Sequence, residues 1–346
     1  MIELRSDTFT LPTREMLEAI IQTPLGDDIY QEDLTVREIE GLVANVFGKE
    51  AAILMPSGTM ANLASIMAHC PRGSKVLVGN ESDIYIYEAG GASVCGGIIY
   101  DPIPTQSDGR LLIEDLMRAF PEDQDDPQFA LPSLICIENT HNRMGGRVLP
   151  LSYLNEVQVF ARRRGIPVHM DGARIFNAAI AIGKNVSEIA QYTDSLQFCL
   201  SKGLSAPVGS MVVGNKEFIK KVYRIRKMLG GGMRQAGIIA APALIALKQV
   251  ESRLNKDHIH AKQLAKGLSL IAGIECDEST VDTNIVYFRV VDKRYDWKTF
   301  IERAKENGVN IAELGHGRIR AVTHSGITSK DINSTLEIFK GIMQEH

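Results

Sequence analysis

Short apolar runs separated by helix-length stretches constrain the fold of this chain more than any other feature. Ala51–Met55, Lys75–Gly79 and residues 96–100, 133–138, 166–170, 195–200 and 210–213 each read as a buried strand. Helices are expected between them at about 60–69, 84–88, 113–120 and 152–164. A strand covered on both faces shows as a continuous apolar run, not an alternation. The pattern therefore predicts an α/β fold with a mostly parallel central sheet. Such sheets bind ligands beyond the carboxyl ends of their strands, and here those ends are polar.

The rest of the chain is arranged around this unit. Residues 1–12 read as an extended arm, 13–250 as a large domain and 251–346 as a smaller α+β domain. The arm leads into a helix at about 13–22. The acidic stretch Gly26-Asp27-Asp28-Ile29-Tyr30-Gln31-Glu32-Asp33 follows, then a helix over 34–47. After Gly230-Gly231-Gly232 one long helix is expected from about 235 to 254. Strands at 284–290 and 318–323, a helix at 296–307 and a terminal helix from 329 make the smaller domain.

Bulk properties narrow the function. At 346 residues and 45% hydrophobic the chain can bury a substantial core. A net charge of −4 leaves no electrostatic footprint for nucleic acid or an anionic membrane. The five cysteines are scattered, without a C-x-x-C pair or a metal-ligand cluster, which fits a reducing compartment. There is no basic-then-apolar leader and no apolar run of about 18 residues. A cytoplasmic protein with no metal site is the expectation.

The candidate residues lie at strand ends. Lys202 follows the run 195–200, where burial can pull a lysine several units below ~10.4 and free its amine to form a Schiff base; a surface lysine is the alternative. Asp171 closes the strand 166–170 and would pair with a protonated ring nitrogen, or simply cap a helix near Arg174. Gly58 and Thr59 open a helix whose N-terminus favours a phosphate, or form an ordinary capped turn. Lys227 and Arg234 flank the triple glycine, either as solvated charges or as reaching the same phosphate from a neighbouring subunit. Arg318 and Arg320 share one strand face, where a guanidinium could hold a carboxylate. His141, after the strand 133–138, could transfer protons.

Taken in order, Ser57-Gly58-Thr59-Met60-Ala61-Asn62, Glu138-Asn139-Thr140-His141-Asn142, His169-Met170-Asp171-Gly172-Ala173-Arg174 and Ser201-Lys202-Gly203 resemble the low-specificity L-threonine aldolases. So do Arg5-Ser6-Asp7-Thr8, Gly26-Asp27-Asp28-Ile29-Tyr30, Gly230-Gly231-Gly232-Met233-Arg234-Gln235 and Arg320-Ala321-Val322-Thr323-His324, so the likeness spans essentially the whole chain. It implies the aspartate-aminotransferase-like fold (fold type I) and pyridoxal 5'-phosphate (PLP) as cofactor.

The resemblance also implies roles. Lys202 would carry PLP, Asp171 would face its ring nitrogen, and Gly58 and Thr59 would hold its phosphate. Lys227 and Arg234 would act on that region across a subunit interface, in a homotetramer with shared sites. Ser6, Arg174 and Arg320 would fix the substrate carboxylate, with Tyr30 also at the substrate and His141 near its β-hydroxyl. The implied reaction is cleavage of L-threonine or L-allo-threonine and related β-hydroxy-α-amino acids to glycine and an aldehyde.

Two positions depart from the pattern. Asp83 stands where the family has a His that stacks on the PLP ring, and Ser205 stands where Gly is common. Asp83 is therefore a candidate base alongside His141 and a bound water. It opens the alternatives of β-elimination, transamination or racemisation, with non-catalytic PLP binding as a third reading.

Overall fold

The computed structural model describes residues 1–344. Strands of the main sheet, numbered in chain order, are β1 Ala51–Met55, β2 Lys75–Gly79, β3 Ile99–Ile103, β4 Pro132–Glu138, β5 Val168–Asp171, β6 Ser195–Cys199 and β7 Ser210–Gly214. Across the sheet they run β1-β7-β6-β5-β4-β2-β3. The pairs from β3 through β6 are parallel, and β7 is antiparallel to both of its neighbours. The mostly parallel sheet is as expected. Its strand order reverses between β2 and β4, where the ends of two crossovers part and leave a crevice.

Both faces of the sheet are covered. β5 and β6 are buried along their whole length. On one side Phe198 of β6 stacks on Phe47 at 4.9 Å and meets the edge of Phe176 at 5.4 Å. A second core surrounds an antiparallel sheet of Ala312–Glu313, Ile319–Val322, Ile285–Val290 and Ile274–Glu275, in that order. There Phe288, Phe300 and Phe339 pack with centroids 5.0 to 6.0 Å apart.

The extended arm is docked: Ile2–Glu3 pairs with Val309–Asn310, and Leu4 is buried in the second core. Several expected elements need correction. The single helix expected over 235–254 is two, Gly237–Lys248 and Val250–Ser269, because Gln249 leaves the helical region at φ −113° and ψ 9°. The strand expected at 96–100 lies at Ile99–Ile103. Residues Ala92–Gly96 instead make a π-helical turn that Gly97 ends at φ +63°. The helix at 84–88 is only Asp83–Ile86, cut off by positive φ at Ala89 and Gly90. Helix Ile175–Ile182 was not expected, since an apolar helix between two buried strands lacks an exposed polar stripe, and Val186–Ala190 is a further short helix opened by an Asn185–Glu188 capping box.

Candidate active site

Lys202 lies in the connection between β6 and β7, which the antiparallel return of β7 leaves open at the carboxyl end of the sheet. With Asp171, Asp83, Gly58 and Thr59 it lines one cavity of about 190 Å³. Asn62, Tyr87, Glu88, Gln197 and Cys199 complete its walls. Larger surface depressions of about 450 and 620 Å³ lie away from these strand ends, beside Glu50 to Ile53 and beside Phe176.

The lysine does not behave as its burial alone predicts. Desolvation disfavours its charge, but the Cys199 sulfur and the Asp83 and Asp171 carboxylates prevail and hold it above its ordinary value.

Asp171 ends β5 opposite Gln197 of β6. Gln197 Nε2 donates to its Oδ1 at 2.5 Å, the Ala173 N–H to the same oxygen at 3.0 Å, and Asn62 Nδ2 to Oδ2 at 2.9 Å. Burial raises its pKa, Lys202 opposes that and Asp83 reinforces it. A buried carboxylate whose orientation is fixed and whose charge is under-compensated suits a cationic ring N–H. Gly58 begins the helix Gly58–His69, and Ser57 Oγ caps it by accepting from Met60 N at 3.2 Å. The Gly58 and Thr59 N–H groups belong to the first turn and have no partner within the helix. A Cβ at 58 would stand 3.0 Å from Cys199 Sγ, so glycine keeps that end of the cavity open. Carboxylate, lysine and phosphate cradle together fit PLP.

Asp83 is paired, which answers how a second carboxylate survives near Asp171. Asn142 Nδ2 donates to its two oxygens at 3.0 and 3.3 Å, and Asn142 Oδ1 accepts from Arg320 Nη1 at 2.5 Å. Arg320 Nη2 donates to the Arg5 carbonyl at 2.8 Å, while its buried Nε has no protein partner. An orphaned guanidinium N–H at this depth is what a substrate carboxylate would satisfy. Arg174 spends Nε and Nη2 on Asp7, each at 2.8 Å, leaving Nη1 as the edge for another anion.

Glu88 and Glu138 are further carboxyl groups that the sequence reading did not place in the site. Burial, with Asp171 beside Glu88 and Asp83 beside Glu138, drives both well above the usual range, so they are neutral acids. Glu138 accepts from the Asn142 and Asp83 N–H groups at 2.7 and 2.8 Å and so ties the two turns together. Asn62, Gln197 and Asn142 were also missed as site residues. Strand period two from Asp171 points to His169, but Gln197 is found only once the β5–β6 register is known.

Not every candidate reaches the cavity. His141 is buried with Nδ1 3.8 Å from Glu138 Oε1 and neither ring nitrogen hydrogen-bonded among the described residues, and burial pushes it down to about 4 against the pull of Asp83. Ser6 Oγ accepts from Thr8 N at 3.2 Å and caps the turn Asp7–Phe9. Tyr30, 72% exposed, lies on the acidic loop, as does Asp27, which pairs with Arg234 at 2.9 Å. Lys227 is exposed next to Gly232. The loop itself is a scaffold: Asp28 binds Arg37 and Arg226 at 2.7 and 2.8 Å, and Asp33 accepts from Gly237 N at 2.8 Å. Tyr30, Lys227 and Arg234 thus share one surface patch outside this chain's own cavity.

Comparison with known proteins agrees with this geometry. The sequence pattern of a family described as beta-eliminating lyase matches residues 3–291. Low-specificity L-threonine aldolase 1 of Arabidopsis thaliana is 42% identical over 344 residues, covering 99% of this chain and 96% of that one. The low specificity L-threonine aldolase of Escherichia coli (strain K12) is 44% identical over 333 residues, covering 96% of each. Among solved structures, the threonine aldolase of Leishmania major is similar with a TM-score of 0.82 at 17% identity, covering 99% of this chain and 100% of that one. At that identity the likeness speaks for the fold.

Proposed function

The chain belongs to the beta-eliminating lyase family, alongside the low-specificity L-threonine aldolases, and we propose that it cleaves L-threonine, L-allo-threonine and related β-hydroxy-α-amino acids to glycine and an aldehyde. It is a PLP-dependent lyase. The observation that carries the reading is the convergence of Lys202, Asp171, Gly58 and Thr59 on one cavity, with the Arg320 guanidinium beside it.

Bound PLP supplies an electron sink for the α-carbon of an amino acid. Lys202 would be the point of covalent attachment, Asp171 would face the ring nitrogen and favour its protonated form, and the Gly58 and Thr59 N–H groups would hold the phosphate. Arg320, through its free Nε, and Arg174, through Nη1, would clamp the substrate carboxylate and so fix the orientation of its Cα. Asp83, lining the cavity and held by Asn142, would take the β-hydroxyl proton, with neutral His141 as support. Lys202, lining the same cavity, would be the group to return a proton to the substrate's Cα.

In this reading Ser6 acts on the substrate pocket through the turn Asp7–Phe9 that it caps, beside the Asp7–Arg174 pair, and Tyr30 reaches the pocket of a neighbouring copy. Tyr30, Lys227 and Arg234 act on the site of a neighbouring copy, in a homotetramer of two dimers. Two observations support it: these residues are exposed, and the loop that carries Tyr30 is anchored through Asp28 to Arg37 and Arg226. We assign the arm to 1–12, the large domain to 13–250 and the small domain to 251–346, and place the enzyme in the cytoplasm. No helix among the described residues is long and apolar enough to cross a membrane.

The test is to mix holoenzyme with L-allo-threonine and assay acetaldehyde and glycine. Absence of both at high enzyme concentration would sink the aldolase reading. Pyruvate formed from serine would favour β-elimination instead, the alternative that Asp83 opens.

A further inference from the structure

A buried polar chain runs from Asp171 to the far end of the helix that covers it. Asp171 and His169 are two residues apart on β5 and leave the same face of the sheet. Their cross-strand partners on β6 are Gln197 and Ser195. The helix Gly58–His69 lies over that face and brings Asn62 and His69 to it. Asn62 Nδ2 donates to Asp171 Oδ2 at 2.9 Å, and Asn62 Oδ1 lies 3.0 Å from His169 Nε2. His169 Nδ1 lies 2.8 Å from Ser195 Oγ, which in turn lies 2.8 Å from His69 Nε2.

Simple hydrogen-bond accounting gives this chain a single direction. Asn62 Nδ2 also donates to Glu88 Oε1 at 2.8 Å, so both its N–H groups are committed to carboxyl oxygens and its Oδ1 must accept. Burial holds both imidazoles neutral, pushing His169 down to about 3 and His69 to about 4. His169 must then carry its proton on Nε2 and present a bare Nδ1 to Ser195. Ser195 has one O–H, which goes to His169, and its oxygen accepts from His69 Nε2–H. His69 is held in plane by stacking on Phe218 at 4.4 Å. Every donor in the series points toward Asp171.

We propose that Asn62, His169, Ser195 and His69 form a positioning relay that keeps Asp171 ionised and aimed at the ring nitrogen of PLP. The proposal rests on the PLP reading above. His169, Ser195 and His69 do not line the cavity, so they act only through Asn62 and Asp171. Aligned dipoles in a dry interior stabilise the carboxylate that burial would otherwise neutralise.

His169→Leu and His169→Gln holoenzymes test it, because glutamine can return an N–H donor to Asn62 and leucine cannot. For His169→Leu the expected result is a kcat lowered roughly 10- to 100-fold, the range for loss of an outer supporting partner. Its KM for L-allo-threonine stays within about twofold, its bound-PLP absorption band shifts, and PLP titrated into its apoprotein binds more weakly; His169→Gln recovers all three losses. His169→Leu with the wild-type band, PLP affinity and kcat overturns the relay. If that variant misfolds, neutron diffraction from the wild-type holoenzyme decides. A deuteron on His169 Nε2 with none on Nδ1 supports the relay, and a deuteron on Nδ1 overturns it. Wild-type protein that takes up no PLP would instead overturn the parent reading, and this one with it.

Discussion

Arg174 and Asp7 are 167 residues apart in sequence and meet through two parallel hydrogen bonds of 2.8 Å, both side chains buried. The pair ties the N-terminal arm to the end of β5, and Asn284 joins it from the second sheet at 3.2 Å. Burial works against the Asp7 charge, but Arg174 outweighs it and holds the carboxyl well below the usual range. A depressed folded pKa stabilises above the unfolded value of ~3.9, and that stability is lost only as pH falls through the folded one. Asp7→Ala would leave a buried guanidinium uncompensated, at a cost of about 3–5 kcal/mol. Urea unfolding at pH 7 should show that loss together with faster proteolysis of the arm. An unchanged midpoint would mean the pair contributes nothing net.

Attachment at Lys202 can be read without turnover. Borohydride reduction of the holoenzyme should fix the cofactor on the peptide carrying Lys202, and Lys202→Ala should lose the corresponding absorbance. Label on a different lysine would remove the central assignment.

What was legible in the sequence is what depends on local pattern. β1 and β2, the helix Leu34–Phe47 and the strand-end positions of Asp171 and Lys202 follow from apolar runs and the residues that stop them. The arm's docking was not legible, because the burial of Leu4 and Asp7 depends on surfaces hundreds of residues away. Gln197 and Ser195 read as polar interruptions of a strand until the register sets them opposite Asp171 and His169. Likewise the acidic loop resembles solvent-facing chain in sequence. Only Arg37 and Arg226, brought from two helices, turn Asp28 into a buried anchor.

Asp83 should matter through its charge. Asp83→Asn preserves size and leaves Asn142 bound to Arg320. If the carboxylate takes the β-hydroxyl proton, kcat for L-allo-threonine should fall roughly 100-fold or more while KM and PLP binding hold. Unchanged kcat would take the role from Asp83 and leave it to a bound water. Asp83→His is expected to change the ratio of activities toward L-allo-threonine and L-threonine, and an unaltered ratio would put residue 83 away from the reacting atoms.

Glu40 gives the structure a pH dependence of opposite sign to that of Asp7. Its Oε1 accepts from Leu54 N at 3.0 Å and its Oε2 pairs with Arg37 at 2.9 Å. Burial nevertheless wins over Arg37 and raises the carboxyl to about 7, with Asp28 pushing the same way. Between an unfolded value of ~4.3 and that folded one, the native state binds more protons than the unfolded state. Stability from this group therefore declines as pH rises from about 4 to about 7, and is flat outside that window. Each unit of difference corresponds to about 1.4 kcal/mol, so the full effect is at most a few kcal/mol. Glu40→Gln keeps the acceptor for Leu54 and removes the titration. Its stability should equal the wild type's near pH 4.5 and exceed it at pH 8, while other raised carboxyls such as Asp257 cancel in the difference. Denaturant unfolding at the two pH values measures this directly, and parallel pH profiles for the two proteins would show that Glu40 ionises as an ordinary glutamate.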